Sequence, residues 1–370
     1  MAAAPRFVLG NRPALDGLRG LAIALVVLFH LGIHSPVTRG GFLGVEMFFV
    51  LSGFLITFLL VDELGRLGRV GLRDFYVRRA LRLLPALLAM LGLLLAYLAA
   101  FGPHARFHVF QREGLAALFY VNNWYRAFDW GPSLTLPHTW SLSVEEQFYI
   151  VWPVVLLAAV RLRGHGLALG LAGAGLVASA VYRGLAWGGD PTLIRLFTGA
   201  DSRADALLAG CALALLVASG RVRPDRLGRF FPALAVLSLA GLAAMSARVA
   251  WNEGFLYRGG YTLYSLLVAV LILALVGDAT PRLRAIFEWR PAVVLGRVSY
   301  GLYLWHLPVF ELVGDRVHGQ AARIPLELAL TAALTALSWR LVEQPALRLK
   351  KRFAPGAHAR QVAAAAPATG

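Results

Sequence analysis

The chain has 370 residues, of which 58% are hydrophobic and only 15% are charged. This composition exceeds what the surface of a water-soluble protein tolerates, so it predicts an integral membrane protein whose apolar excess faces lipid. The net charge of +16 does not indicate nucleic-acid binding, because the arginines lie in short clusters between apolar runs. Anionic lipid headgroups and a phosphate-bearing substrate fit this pattern better. With Cys211 as its single cysteine, the chain has no intrachain disulfide, and we expect no metal cofactor.

Ten apolar stretches are long enough to cross a hydrocarbon core of roughly 30 Å, which takes about 17 to 25 residues per helix. They centre on residues 18–34, 42–61, 83–101, 144–160, 166–182, 204–220, 231–246, 261–277, 291–313 and 324–341. The predicted fold is therefore an all-α, polytopic transmembrane bundle of about ten spans with both termini in the cytoplasm. Its predicted location is the cell inner (cytoplasmic) membrane.

The loops support this topology. With the N-terminus inside, the predicted inner segments hold about twice as many Lys and Arg residues as the outer ones, as the positive-inside rule requires. We assign residues 1–345 to the transmembrane domain and residues 346–370 to a basic cytoplasmic tail. Within that tail, residues 354–370 are rich in Ala, Pro and Gly without periodicity, which predicts disorder.

One predicted outer connection, residues 102–143, is about forty residues long and lacks a continuous apolar run. A loop of this length in a compact bundle is usually functional or disordered. Its tryptophans, Trp124, Trp130 and Trp140, favour an ordered structure.

Arg19 and His30 lie on the first span. Their separation of eleven residues places them on nearly the same helix face, roughly 16 Å apart, so both are expected to face one cavity. Polar residues inside a span are costly and usually functional. A neutral imidazole can accept a proton from an attacking hydroxyl, which makes His30 a candidate general base, although a packed histidine bonded to a backbone carbonyl is the alternative.

The second span begins with a glycine-rich block at residues 40–45, followed by Glu46. The glycines are expected to allow close helix packing. The Glu46 carboxylate could orient an imidazole or pair with an arginine. A partly solvated interfacial charge is an equally good interpretation.

Arg79 and Arg82 share a helical face at the predicted cytoplasmic boundary, where they could bind the phosphates of an anionic donor. Positive-inside topology alone would also explain them. Before the fourth span, His138 and Trp140 precede a pair of acids, Glu145 and Glu146. Ser141 or Ser143 could cap that helix, and the helix dipole favours acidic residues such as Glu145 and Glu146 in its first turn. A substrate site at the mouth of the bundle is compatible with these structural roles.

The later spans carry further polar residues. Arg203 and Asp205 open the sixth, and the ninth contains a group of candidates, namely Arg297, Ser299, Tyr300, Trp305 and His306. Trp305 is expected to pack, and His306 to form interior hydrogen bonds.

Five segments carry a resemblance to a known family: residues 15–30, the glycine-rich block at 40–45, the Arg79 and Arg82 pair, residues 138–148 and residues 296–306. Because all five segments occur in the same order as in the family, the chain resembles acyltransferase family 3. The members of this family are bacterial membrane proteins that O-acylate surface polysaccharides, peptidoglycan, lipids and some antibiotics. The resemblance covers roughly residues 13–342. The family commonly has Asp where this chain has Glu46.

The resemblance implies transfer of an acyl group, most simply acetyl, from acyl-CoA to a hydroxyl of a sugar, glycan or macrolide acceptor. The implied catalytic residues are His30, Arg19 and Glu46, and the implied donor-binding residues are Arg79 and Arg82. The candidate substrate-binding residues are His138, Trp140, Glu145, Glu146, Arg203, Tyr300 and His306.

Direct attack of the acceptor on the thioester and a covalent intermediate on His30 are both compatible with the sequence. A transporter or flippase of a lipid-linked or anionic substrate is the main alternative function, since buried charges in ten spans suit it equally well. No internal repeat supports that alternative. A noncatalytic scaffold or sensor is a third possibility.

Overall fold

The computed structural model describes Phe7, residues 9–33 and residues 38–353. Throughout these residues the secondary structure is helical, with no β-strand, which confirms the predicted all-α class. The α-helices are α1 Pro13–His30, α2 Gly44–Leu67, α3 Leu72–Phe101, α4 His104–Leu118, α5 Asn122–Ala127, α6 Trp140–Ala186, α7 Asp190–Thr198, α8 Ala200–Ala218, α9 Phe231–Arg248, α10 Tyr261–Val276, α11 Pro281–Phe287, α12 Arg290–Arg297, α13 Ser299–Gly314, α14 Gln320–Ser338 and α15 Gln344–Lys350.

Seven helical stretches of the described chain are long and apolar enough to cross a membrane, which confirms the polytopic bundle. They are Pro13–His30, Gly41–Leu67, Leu72–Phe101, Pro137–Ala186, Phe231–Arg248, Leu256–Val276 and Gln320–Lys350. The first ends at His30, and the predicted end of that span at residue 34 lies outside the described residues.

The number of membrane-crossing helices in the described chain is lower than the ten predicted spans for local structural reasons. Helix α6 contains two predicted spans, separated by non-helical backbone at Arg163 and Gly164, where Gly164 has a φ of 73° that suits glycine. Helix α8 carries three charged residues in its first two turns, and α13 has only 16 residues.

The predicted ninth span, residues 291–313, is wrong as one continuous helix. The chain leaves helical geometry at Val298, and α12 and α13 are separate. The break allows α12 to pack directly on α1, where Gly296 meets the backbone of Asp16 and Gly20 meets that of Ala292.

The glycine-rich start of α2 has the packing role that the sequence predicts. A side chain at Gly44 would overlap the carbonyl oxygen of Ala22 on α1. Further along α2, a side chain at Gly53 would overlap the carbonyl oxygen of Leu207 on α8. The backbones of α1, α2 and α8 therefore approach each other closely.

Helices α6, α8 and α10 are joined by a buried ion pair. Both nitrogens at the end of Arg183 donate to the carboxylate of Asp205, each over 2.8 Å. Arg183 also donates to Thr262 on α10 and to the carbonyl of Ser202. Since both charged side chains are almost completely buried, this pair fixes the relative position of the three helices.

The long outer connection is ordered, as its tryptophans predict. It contains α4 and α5, and Glu113 of α4 accepts hydrogen bonds from the backbone of Thr135 (3.0 Å) and Leu136 (3.3 Å). Burial raises the pKa of Glu113, while these hydrogen bonds act in the opposite direction. The bonds anchor the segment that leads into α6.

The first residues of the predicted tail are helical. Ala346 is buried within α15, and Lys351–Phe353 forms a 3₁₀ turn. Arg78 of α3 donates to the carbonyl oxygen of Phe353 over 2.6 Å, which holds this segment against the bundle. Residues 354–370, for which we predict disorder, lie outside the described residues.

Candidate active site

A cavity of about 810 Å³ opens among α2, α3, α6 and α13. Its volume is within the range of small-molecule and cofactor sites. The charged residues that line it are predominantly basic, namely Arg19, Arg66, Arg78, Arg79, Arg82 and Lys350 against Asp62, Glu63 and Glu145. The basic residues come from the first half of α1, the end of α2, the start of α3 and the last residue of α15, so they gather at the side predicted to be cytoplasmic.

Arg79 is held in place by its neighbours. It donates two hydrogen bonds to one carboxylate oxygen of Glu146, at 2.8 and 2.6 Å, and its guanidinium lies over the ring of Tyr149. Arg82, one turn later, lines the cavity and makes no hydrogen bond or ion pair within the described part of the chain. The two arginines that sequence spacing places on one face therefore differ: one is neutralised by Glu146, and the other is available to an anion.

Three other predicted residues line the same cavity. Glu145 accepts a hydrogen bond of 2.6 Å from the hydroxyl of Ser52. Tyr300 donates to the carbonyl oxygen of Leu83 over 2.8 Å, which connects α13 to α3. Arg19 also lines the cavity and pairs with Asp16 at 3.4 Å.

Three histidines that are far apart in sequence form a cluster beyond the end of the cavity. The ring centres of His30 and His306 are 5.1 Å apart, and those of His138 and His306 are 5.2 Å apart. The sequence places each of them on a different element, so only the fold brings them together.

The expectation that Arg19 and His30 face one cavity is wrong. Arg19 lines the cavity, but the histidines are not among its described lining residues. Tyr303 and Ser141 form the wall between them. The Tyr303 hydroxyl donates to the carbonyl oxygen of His138 over 2.8 Å and lies 2.6 Å from the Ser141 hydroxyl, while its ring packs on His138 and His306.

Hydrogen bonds in the cluster select which nitrogen of His30 is basic. Nδ1 of His306 lies 2.7 Å from the carbonyl oxygen of Tyr303, which only accepts, so this nitrogen carries the hydrogen. In a neutral His306 ring, Nε2 is then an acceptor, and it lies 3.3 Å from Nδ1 of His30. Nδ1 of His30 also lies 2.9 Å from the carbonyl oxygen of Val26, so it too carries hydrogen. Nε2 of His30 is left with its lone pair and has no hydrogen-bond partner among the described residues.

Glu46 contacts an arginine and not an imidazole. Its carboxylate pairs with Arg203 of α8 and accepts a hydrogen bond of 3.2 Å from Ser265 of α10. The Arg203 guanidinium lies 3.7 Å from the ring centre of Tyr261, and Trp140 packs nearby. All five side chains are buried, and none lines the cavity, so the structure offers no contact through which Glu46 would orient His30.

Two residues at the site were missed at the level of sequence. Tyr303 lies one turn from both Tyr300 and His306, and that spacing could have identified it. Arg126 of α5 donates to the carbonyl oxygen of Pro137 over 3.0 Å, beside the histidine cluster, and burial lowers its pKa. No sequence signal distinguishes Arg126 from other loop arginines.

Comparisons with known proteins identify related sequences. The model of a family described as an acyltransferase domain matches residues 12–343. The peptidoglycan O-acetyltransferase OatA of Listeria monocytogenes is 35% identical over 90% of this chain and 55% of its own length. The putative peptidoglycan O-acetyltransferase YrhL of Bacillus subtilis is 36% identical over 90% of this chain and 54% of its own.

The O-acetyltransferase OatA of Staphylococcus aureus is 32% identical over 92% of this chain and 57% of its own length. The chain thus spans about half the length of the curated relatives that it matches. No solved structure gives a significant match. Because the family model covers nearly all of the helical bundle, the chain belongs to acyltransferase family 3.

Proposed function

We propose that this protein is a multi-pass O-acyltransferase of the cell inner membrane. It transfers an acetyl group from acetyl-CoA to a hydroxyl group of a glycan. The observation that carries the proposal is the juxtaposition of a basic cavity with a histidine cluster behind its far wall.

The cavity supports acyl-CoA as the donor. Its volume of about 810 Å³ suits a ligand of nucleotide size, and its basic end matches the phosphates of coenzyme A. The leucine-rich wall of α2 leads from Arg66 back towards Ser52, a distance of roughly 20 Å along the helix. An extended pantetheine arm along this wall brings the thioester towards Ser141 and Tyr303.

His30 supplies the base. Its Nε2 takes the proton of the acceptor hydroxyl, and the oxygen attacks the thioester carbonyl carbon. The tetrahedral intermediate then collapses, the carbon–sulfur bond breaks, and the CoA thiolate leaves and takes up a proton. Because the wall of Tyr303 and Ser141 separates His30 from the cavity, these side chains must shift before the thioester reaches Nε2.

The glycan acceptor is proposed from the relatives, whose names specify peptidoglycan O-acetylation. It would approach from the side of the outer connection, where His138 and Arg126 lie beside the histidine cluster. Donor and acceptor would then meet from opposite faces of the bundle.

The test is turnover of radiolabelled acetyl-CoA by the purified protein in liposomes, with peptidoglycan fragments, other sugars and macrolides as acceptors. We expect free CoA and a labelled acceptor to form at equal rates, and empty liposomes to form neither. Accumulation of an unmodified substrate inside the vesicles without thioester consumption would instead establish a transporter.

His306 is expected to act as a positioning residue for His30. Leu at this position cannot accept a hydrogen from Nδ1 of His30, so His306→Leu should lower kcat about fivefold, which corresponds to the loss of one hydrogen bond of roughly 1 kcal/mol. Gln can accept it through its side-chain oxygen, so His306→Gln should retain most activity. Equal losses in both variants, measured as acetyl transfer at saturating donor, would argue against the positioning role.

A further inference from the structure

Only some of the basic side chains that line the cavity form ion pairs with carboxylates. Four have a carboxylate partner within the described chain: Arg19 with Asp16 at 3.4 Å, Arg66 with Asp62 at 3.4 Å, Arg78 with Glu63 at 3.3 Å and Arg79 with Glu146 at 2.6 Å. Arg82 and Lys350 have neither a hydrogen bond nor an ion pair there, although the described residues include every Asp and Glu of the sequence. No carboxylate side chain among the described residues therefore lies within ion-pair distance of these two cations.

Lys350 is held in this position by the fold. It ends α15, which packs on α3, and the bond from Arg78 to the carbonyl of Phe353 fixes the backbone just beyond it. Its principal charged neighbours are all arginines, with Arg82 and Arg78 foremost. Like charges gathered in a partly buried cavity repel each other, so this arrangement costs free energy until an anion enters.

We propose that Lys350 and Arg82 together bind the phosphate groups of the donor. This inference rests on the proposed function, because acyl-CoA is the phosphate-bearing ligand concerned. Arg82 provides a planar, multidentate donor on α3, and Lys350 provides a compact positive charge on α15. The lysine lies beyond residues 12–343, the part of the chain that the family model matches.

A consequence is that α15 contributes to the donor site through its last residue, Lys350. The same segment that closes the bundle after α14 places a cation over the cavity. Donor affinity should therefore depend on α15 and not only on the helices shared with the family.

The experiment is calorimetric titration of coenzyme A into the full-length protein in lipid nanodiscs at fixed ionic strength. Lys350→Ala should weaken binding about tenfold or more, because a hydrogen bond to a charged group is lost. Lys350→Arg should stay within a few-fold of wild type. Arg348→Ala is the matched control: it removes a positive charge from the exposed face of the same helix, and affinity should not change.

Thermal unfolding of the ligand-free proteins separates a binding role from a structural one. Lys350→Ala should unfold at the same temperature as wild type or higher, because it removes an uncompensated charge. A clearly lower unfolding temperature, or wild-type affinity for coenzyme A, would overturn the role of Lys350 and leave the donor assignment intact. If the wild type itself binds no coenzyme A, the proposed function fails as well.

Discussion

His30→Ala is expected to lower kcat for acetyl transfer by about 10²–10⁴-fold, the usual contribution of a general base. The hydrogen bonds of Val26 and His306 leave Nε2 as the basic nitrogen of His30, and alanine removes it. The KM for acetyl-CoA should change little, because His30 does not line the cavity that binds the donor in our proposal. Steady-state kinetics of CoA release in liposomes measure both quantities.

His108→Ala is the matched control for this variant, since it removes an exposed histidine of α4 that lies outside the cluster. Its kcat should equal that of wild type. If His30→Ala turns over as fast as His108→Ala, His30 is not the base. If its KM rises while kcat is kept, His30 acts in binding instead.

Asp205→Ala is expected to destabilise the protein by about 3–5 kcal/mol, the cost of leaving one partner of a buried ion pair without the other. Arg183 would keep only its neutral acceptors, the carbonyl of Ser202 and the hydroxyl of Thr262, inside a fully buried site. The measurement is the midpoint of thermal unfolding in detergent, with the fraction of monodisperse protein as the readout.

The control for Asp205 lies one turn earlier on α8. Asp201 forms a similar two-point pair with Arg195, at 2.9 and 2.6 Å, but its side chain is 44% exposed. Asp201→Ala should cost no more than about 1 kcal/mol, because water replaces the lost partner. Removing both charges of the buried pair, as Arg183→Met with Asp205→Leu, should recover much of the stability. Equal losses for Asp201→Ala and Asp205→Ala would contradict the effect of burial.

Features that depend on local periodicity could be predicted from the sequence. The spacing of Arg79 and Arg82 placed both on one helix face, and the glycine-rich start of α2 indicated close packing. Composition predicted the polytopic helical fold. These properties follow from neighbours within a few turns, which a sequence displays directly.

Contacts between distant segments could not be predicted in this way. Glu46 and Arg203 are 157 residues apart, and the sequence around each residue does not indicate that the two form an ion pair. The break at Val298 lies inside an apolar run predicted as one span, and it accompanies the packing of α12 on α1, which the sequence does not indicate. Lys350 lies in a segment whose basic composition predicted a free tail, yet its position is set by contacts with α3.

The proposed function gives the wall of Tyr303 and Ser141 a second consequence, which concerns proton leakage across the membrane. An acyltransferase that admits one substrate from each side of a membrane would, without such a partition, contain a water-filled conduit through which protons leak. Under the proposed function, the hydrogen bonds of Tyr303 to Ser141 and to the His138 carbonyl close that conduit between the cavity and the histidine cluster. Under the proposed function, the same partition also keeps water on the acceptor side away from the thioester and so limits hydrolysis of the donor while no acceptor is bound.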